Sequence, residues 1–365
     1  VEVRNVRGAV LRAVGEPLAI SEDLRLRDPG PGEVRVALKA SGVCHSDLSI
    51  QNGTLGTGRL PAALGHEGAG EVIAAGPGVT GVEPGDHVIL VWIPPCGRCG
   101  LCLGGQPQLC TEVRRARAGL ASPLSDAAGE VALGFGIGTF TEQTVVPVEA
   151  VVPIDRSVPF EVAALVGCGV MTGVGAVINT AKVEPGASVA VIGCGGVGVN
   201  VIQGARLSGA ATIVAVDRVP AKLETARSFG ATHAVDPADL PDAVRDLTAG
   251  AGFDYVFEVV GRSATVRQAW DATRRGGVTV AVGAGSAADK VSFSVGELFS
   301  SERKLMGCIY GSADVRTDFH RILALWQAGR LDLTGLVSRE IGLDEVNEAF
   351  AAMEGGEVVR SVIRF

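Results

Sequence analysis

Over roughly the first 150 residues the chain reads as short alternating stretches. Glu33-Val-Arg-Val-Ala-Leu-Lys39 places charged and aliphatic side chains on opposite faces, the pattern of a half-buried strand. Gly/Pro turn signals break these stretches at Asp28-Pro-Gly-Pro-Gly32, Ala75-Gly-Pro-Gly78 and Glu83-Pro-Gly-Asp86. Short strands this closely spaced predict a barrel or partly closed sheet. After about residue 170 the rhythm changes to continuous apolar strands separated by helical patterns. Strands are predicted at 188–193, 212–217, 253–258 and 278–282, with helices running to Ser208 and over 220–229 and 264–273. Repeated strand–helix units predict a doubly wound parallel sheet. The last 55 or so residues carry helical patterns at 314–328 and 344–354 and a strand at 358–364, a tail able to pack back on the first domain. The predicted division is 1–169 with 311–365 against 170–310, and 111–138 is predicted to be a long loop.

Composition narrows the class. Of 365 residues 47% are apolar and 20% charged, which suits a protein with a large core and excludes a disordered chain. A net charge of −8 argues against nucleic acid or an anionic membrane as the main partner. The longest apolar candidate for a span, Ser188 to Val201, is interrupted by four glycines. Charged residues such as Arg4 and Arg7 precede any apolar run, so nothing there reads as a secretion signal and a cytoplasmic protein is expected.

Four of the eight cysteines fall at Cys96-x2-Cys99-x2-Cys102-x7-Cys110. Thiols this close cannot staple distant loops but can surround one ion. Four soft ligands in a compact glycine-containing loop suit a structural zinc ion with no position open to substrate, with an iron–sulfur cluster as the chemical competitor. Arg98, Arg114, Arg115 and Arg117 lie close enough in sequence to offset the charge of four thiolates on a divalent ion.

Gly193-Cys-Gly195-Gly196-Val197-Gly198 follows a predicted strand and opens a predicted helix. That context, with Asp217 ending the next strand, is a dinucleotide-binding fingerprint: the glycines let the pyrophosphate approach the helix N-terminus, and the carboxylate meets the adenosine ribose. Asp217 would repel a 2′-phosphate and favours NAD over NADP, while the adjacent Arg218 argues the other way. Two further cysteines and a histidine stand in glycine-flanked positions, at Cys44, His66 and Cys168. Such a Cys2His set leaves zinc an open fourth position, as catalytic sites require.

Taken together, Gly42-Val-Cys44-His-Ser-Asp47, Gly65-His-Glu-Gly-Ala-Gly70, Pro84-Gly-Asp86, the four-cysteine lobe, Gly167-Cys-Gly-Val-Met-Thr-Gly173, the fingerprint and Phe257-Glu-Val-Val-Gly261 resemble the zinc-dependent alcohol dehydrogenases of the medium-chain dehydrogenase/reductase superfamily, over essentially the whole length. The resemblance implies an α/β protein with a GroES-like β-rich catalytic domain and a Rossmann domain. It also implies two zinc ions per chain, NAD as cofactor, and hydride transfer between an alcohol and NAD to give the aldehyde, or the reverse. By the same resemblance Cys44, His66 and Cys168 hold the catalytic zinc and Glu67 is the acid beside it. Asp47 orients the imidazole and Ser46 receives the alcohol proton. Thr172, Val282, Gly283 and Ala284 meet the nicotinamide end, His45 and Arg360 the pyrophosphate, and Lys222 the adenosine ribose.

One position departs from the pattern. Many members carry a histidine three residues after the proton-accepting hydroxyl, and here Ser49 stands there, so proton release is expected through water or a weaker relay. Leu55, Trp92, Phe135, Phe140 and Ile309 are the candidate pocket residues, with ordinary core packing as the alternative for each. They point to a primary alcohol with an apolar, aromatic or allylic substituent. The length of 111–138 and the segment 291–310 point to a homodimer joined through the cofactor domain. Competing readings are a formaldehyde–thiol-adduct dehydrogenase, an aldehyde reductase working in biosynthesis, and a binding relative without turnover. The last is disfavoured because all three ligands of the Cys2His set are present.

Overall fold

A computed structural model describes residues 3–56 and 58–365. The chain forms two compact units. The first takes the chain up to Cys168 together with Asp314–Gln327 and Leu333–Phe365; the second comprises Gly169–Ala313 and Ala328–Asp332. Gly169 and residues 311–313 and 328–332 therefore fall in the second unit rather than the first. The reasons are local. Gly311 packs on Met171 and Gly175, where an added Cβ would lie 2.2 Å from the Met171 carbonyl oxygen. The fully buried Gln203 amide accepts from the Asp332 N–H (2.8 Å) and donates to the Asp332 carbonyl (3.1 Å).

The first unit is β-rich. Strands Val3–Leu11, Ala19–Arg27, Leu124–Asp126, Gly129–Leu133 and Ala62–Ala63 close a small barrel. A second sheet runs in the order Val151–Ile154, His87–Leu90, Glu67–Ala75, Glu33–Gly42, Arg360–Arg364 and Val337–Ile341, with Gln143–Pro147 also paired to Glu33–Gly42. The expected strand at 33–39 thus continues to Gly42, which brings the chain to the Cys44 ligand position. The tail does return to this unit: Val362 pairs with Gly42. The stretch 111–138 is not a loop. It holds the helix Glu112–Arg117 and a hairpin of Leu124–Asp126 with Gly129–Leu133, whose Leu124 and Val131 are fully buried in the barrel. Its Gly/Ala content hid a pattern too short to register.

The second unit carries six parallel strands in the order His233–Val235, Thr212–Val216, Ser188–Ile192, Phe253–Glu258, Thr273–Ala281 and Lys304–Gly307. The order reverses beside Ser188–Ile192, so a crevice opens at the carboxyl ends of the two central strands. The sequence patterns did not mark the helix Phe160–Ala181, which is long and apolar enough to cross a membrane by length and composition alone. It is a core helix, with 89% of its apolar window buried inside the protein. A helix buried all round has no polar face, so its period is invisible in the sequence.

Candidate active site and metal centres

Three segments converge in the first unit. Cys44 follows the strand Glu33–Gly42 and caps the N-terminus of the helix His45–Gln51. His66 precedes the strand Glu67–Ala75. Cys168 lies in Val166–Val170, a π-helical turn inside the long apolar helix. The wider turn is a common device at functional sites, since it rotates one side chain out of the regular helical register. The ligating atoms of Cys44, His66, Glu67 and Cys168 all lie within 4.8 Å of one another, and all four residues are buried.

The flanking glycines explain this closeness. Gly65 has φ +88°, and a Cβ there would meet Phe140 and Thr139 at 2.5 and 2.6 Å. A Cβ on Gly42 would lie 2.2 Å from Glu67 Oε2. Backbone must approach backbone for the ligands to meet. Asp47 then fixes the imidazole: its Oδ1 accepts the Gly65 N–H (2.9 Å) and its Oδ2 lies 3.0 Å from His66 Nδ1. With the Asp47 carboxylate beside Nδ1, Nε2 is left to ligate. Replacing Asp47 by Asn should leave the fold intact and lower zinc affinity and kcat/KM by about 10–100-fold, read by competition with a chromophoric chelator and by steady-state rates.

Charge in this cluster is balanced internally. Donation from the Cys168 thiol, aided by nearby Arg360 and His66 against the cost of burial, holds Cys44 well below the usual thiol range. The same pairing, with burial, pushes Cys168 up. Burial raises the Glu67 carboxyl to about 7 despite Arg360. The donor set is therefore two coupled sulfurs and an imidazole whose charged form Asp47 and Cys44 favour against the cost of burial. A divalent cation suits this set, because it displaces the protons held on sulfur and imidazole and takes over the balancing positive charge. Arg360, expected at the pyrophosphate, is 5% exposed. Its Nη2 lies 3.1 Å from Glu67 Oε1 and 3.7 Å from Cys44 Sγ. Its strand pairs beside Gly42, and that position directs the guanidinium at the cluster. Ser46 is half-buried one residue after the exposed His45 on the same short helix, and Ser49 is buried.

Among the pocket candidates, Phe135 and Trp92 stand against the cluster. The Phe135 ring is 4.2 Å from the His66 ring, Trp92 is 6.1 Å from it edge-on, and the two are 5.8 Å apart. Phe140 is a correction. It is fully buried among Leu48, Leu64, Val346 and Phe350, so its position is core packing. Leu55 is half-buried at the margin of the same core. Ile309 is exposed in the second unit.

The four-cysteine lobe forms a second ligand set, again with all four sulfurs within 4.8 Å. Cys96 and Cys102 sulfurs are 3.9 Å apart, as are those of Cys99 and Cys110. Zn–S bonds of about 2.3 Å in a tetrahedron space the sulfurs about 3.8 Å apart. Backbone N–H groups of Arg98 and Cys99 donate to Cys96 Sγ at 3.4 and 3.3 Å. These bonds, the Arg98 N–H first, draw the Cys96 thiol down to about 6, while burial pushes Cys102 up to about 12. Of the arginines expected to balance the lobe, Arg98 contributes its backbone, Arg115 pairs with Glu112 and Arg114 is exposed. The side chain of Arg117 lies outside the described residues. The guanidinium that approaches is one the local sequence concealed: Arg316 Nη1 lies 3.1 Å from where a Gly97 Cβ would be, and Cys102 and Cys96 help raise its pKa, after its bond to Asp314.

In the second unit, three glycines of the fingerprint turn stand in three different local settings. Gly193 takes φ +98°. Gly195 caps the helix Gly196–Leu207 with open space where a Cβ would be, and a Cβ on Gly198 would lie 1.9 Å from the Gly193 carbonyl oxygen. Val197 lies in the first turn of that helix. Asp217, just past Thr212–Val216, accepts the N–H groups of Cys194 (2.8 Å) and Val219 (2.9 Å), which aims the carboxylate at the turn. Arg218 is exposed and Lys222 half-buried on the following turn. Val282 and Gly283 donate to the Glu258 carbonyl at 2.8 and 3.0 Å, and Ala284 follows them. Thr172 is buried in the helical turn Met171–Gly175.

Comparison with known proteins agrees with this geometry. Residues 30–156 match the alcohol dehydrogenase GroES-like domain, and residues 196–328 the zinc-binding dehydrogenase domain. The chain belongs to the zinc-dependent alcohol dehydrogenases of the medium-chain dehydrogenase/reductase superfamily. It is 40% identical to an alcohol dehydrogenase class-3 of Cereibacter sphaeroides, over 98% of this chain and 99% of that one. It is 37% identical to an S-(hydroxymethyl)glutathione dehydrogenase of Paracoccus denitrificans, over 98% and 99% respectively. The crystal structure of benzyl alcohol dehydrogenase from Acinetobacter calcoaceticus superposes with a TM-score of 0.90 at 30% identity, covering 99% of each chain. This protein is therefore a zinc-dependent oxidoreductase acting between an alcohol and an aldehyde, with NAD and two zinc ions as its cofactors.

Proposed function

We propose that the protein oxidises primary alcohols bearing an aromatic, allylic or other apolar substituent to their aldehydes with NAD, or runs the same reaction in reverse. The observation that carries this reading is the aromatic corner of Phe135 and Trp92 around His66. A flat, π-bearing substituent stacks in such a corner, and an aliphatic chain gains less there. When bound, zinc at Cys44, His66 and Cys168 supplies a Lewis acid, and NAD in the crevice of the parallel sheet supplies the hydride acceptor. The chain's own groups do the rest. Asp47 holds His66 in one tautomer, Arg360 compensates the buried Glu67 and Cys44, and Ser46 takes the alcohol proton and passes it to water, with Ser49 offering no histidine for a relay. The Asp217 carboxylate receives the ribose hydroxyls and disfavours a 2′-phosphate, which supports NAD over NADP.

A spectrophotometric screen of NAD and NADP against benzylic, allylic, aliphatic and thiol-adduct alcohols tests this. Benzylic substrates with NAD are expected to exceed short aliphatic ones by up to about tenfold in kcat/KM, the worth of one well-formed aromatic contact. A second reading, oxidation of a formaldehyde–thiol adduct, is favoured by the relatives carrying that name. Turnover of formaldehyde that depends on added low-molecular-weight thiol, with little benzylic activity, would establish it instead. A biosynthetic aldehyde reductase would use the same residues with the opposite flux.

The eight cysteines are all free, which suits a reducing compartment, and this reading places the protein in the cytoplasm. It also assembles the protein as a homodimer through its cofactor-binding unit. Lys304–Gly307 is the outer strand of the parallel sheet, and beside it the helix Val295–Ser301 leaves Val295 83% and Phe299 85% exposed. An open strand edge next to bared apolar side chains is a template for a second copy. Phe299→Asp should shift the protein from dimer to monomer in light scattering without loss of its secondary structure; an unchanged mass would remove this surface from consideration.

A further inference from the structure

Glu258 is fully buried at the carboxyl end of Phe253–Glu258, the strand between the one that leads into the fingerprint turn and the one that leads into Val282–Gly283–Ala284. Its backbone sits in register with Ile192 on one side and Ala281 on the other. Its side chain turns back on its own chain: Oε1 accepts the N–H groups of Val260 (2.9 Å) and Gly261 (2.7 Å) and the hydroxyl of Thr265 (2.6 Å). Oε2 is buried with no hydrogen-bond partner among the described residues. Keeping a carboxylate buried and half satisfied costs stability, and a smaller hydroxyl or amide could close a turn of this kind at less cost.

What the carboxylate holds is the junction of the cofactor crevice. The turn it closes packs Val260 against the fingerprint, 2.8 Å from where a Gly193 Cβ would be. It also packs Gly261 against the next segment, where a Cβ on Gly283 would lie 2.2 Å from the Gly261 N atom. Residues 259–261 thus sit between Gly193 on one side and Gly283 on the other, and a shift of this middle segment changes the spacing of the two. We infer that Glu258 is a positioning residue for the cofactor, its carboxylate setting the spacing between the pyrophosphate turn and the backbone that receives the nicotinamide. The inference rests on NAD binding in this crevice.

The test uses the zinc-loaded full chain and NADH binding followed by fluorescence titration. Glu258→Ala should weaken NADH by about tenfold or more, the effect of leaving buried N–H donors unpaired. Glu258→Gln keeps an acceptor at Oε1 and should recover most of that loss, and Thr265→Val should show a smaller fall in the same direction. Zinc content and KM for the alcohol at saturating NAD should stay at the parental values, which a general loosening of the fold would not allow. Parental NADH affinity in a folded Glu258→Ala protein overturns the inference. If that variant does not fold, parental affinity in Thr265→Val overturns it. Absence of NADH binding to the unsubstituted protein would refute the NAD assignment itself, and so the two failures are separable.

Discussion

Replacing Cys168 by Ala is expected to lower turnover by about 1,000-fold or more while leaving a folded protein that holds one zinc ion per chain. The magnitude follows from losing a Lewis acid worth several kcal/mol of charge stabilisation. Cys168 is one of only two sulfurs in its cluster, so its removal leaves Cys44 and His66, too few protein ligands for a stable zinc site. The fold survives because the substitution removes one small side chain from a helix whose packing rests on its apolar neighbours, such as Leu165, Val170 and Val174. Its Tm should move by no more than about 2–4 °C, the equivalent of about 1 kcal/mol. Metal analysis, steady-state rates and thermal denaturation on one preparation settle the matter. Substantial turnover in a variant with a single zinc ion would show that the metal assignment is wrong.

The converse is expected of Cys99→Ser. Here the lost ion is structural, and the stability effect should exceed the catalytic one. The lobe has little core of its own: Cys102 and Cys110 are buried, whereas Leu101, Leu103 and Leu109 point to solvent. The metal takes the place of the missing apolar contacts, as it does in small zinc modules. Its loss should cost more than about 4 kcal/mol and lower Tm by on the order of 10 °C, with proteolytic cleavage appearing within the lobe. The remaining zinc ion stays at the Cys44 cluster, and activity measured at low temperature should persist. A Tm equal to the parent's would reduce the lobe to an incidental ligand set.

The two metal centres were unequally legible, for a geometric reason. The lobe ligands span fifteen residues, and spacing alone states that their sulfurs can share an ion. Cys44, His66 and Cys168 are scattered over 125 positions, so their residue types and glycine flanks mark them as candidates but do not bring them together. The π-helical turn at Cys168, the φ of Gly65 and the aspartate behind His66 accomplish that, and none of these is a property of a short window. The fingerprint belongs with the lobe: Gly193, Gly195 and Gly198 act within one turn, and Asp217 ends the neighbouring strand.

Where sequence reasoning went astray, long-range packing decided. Phe135 and Phe140 are equivalent as letters; the former lies on His66 and the latter fills the core against Phe350. Arg360 and Arg316 serve the two metal clusters from positions far along the chain, because the returning tail pairs beside Gly42 and the helix Val315–Gln327 begins near Gly97. The apolar helix Phe160–Ala181 and the hairpin inside 111–138 were missed because one has no polar face and the other almost no length.

The amino-acid sequence by itself determined the inventory: two ligand sets, a dinucleotide turn, and a β-rich domain beside a parallel sheet. Those features depend on residue type, local spacing and short-range periodicity. Only the tertiary structure decided which ring faces the metal ligand, which arginine balances which cluster, and that a buried glutamate ties the cofactor segments together. Each of these is a contact between residues far apart in the chain, set by how strands pair and helices pack.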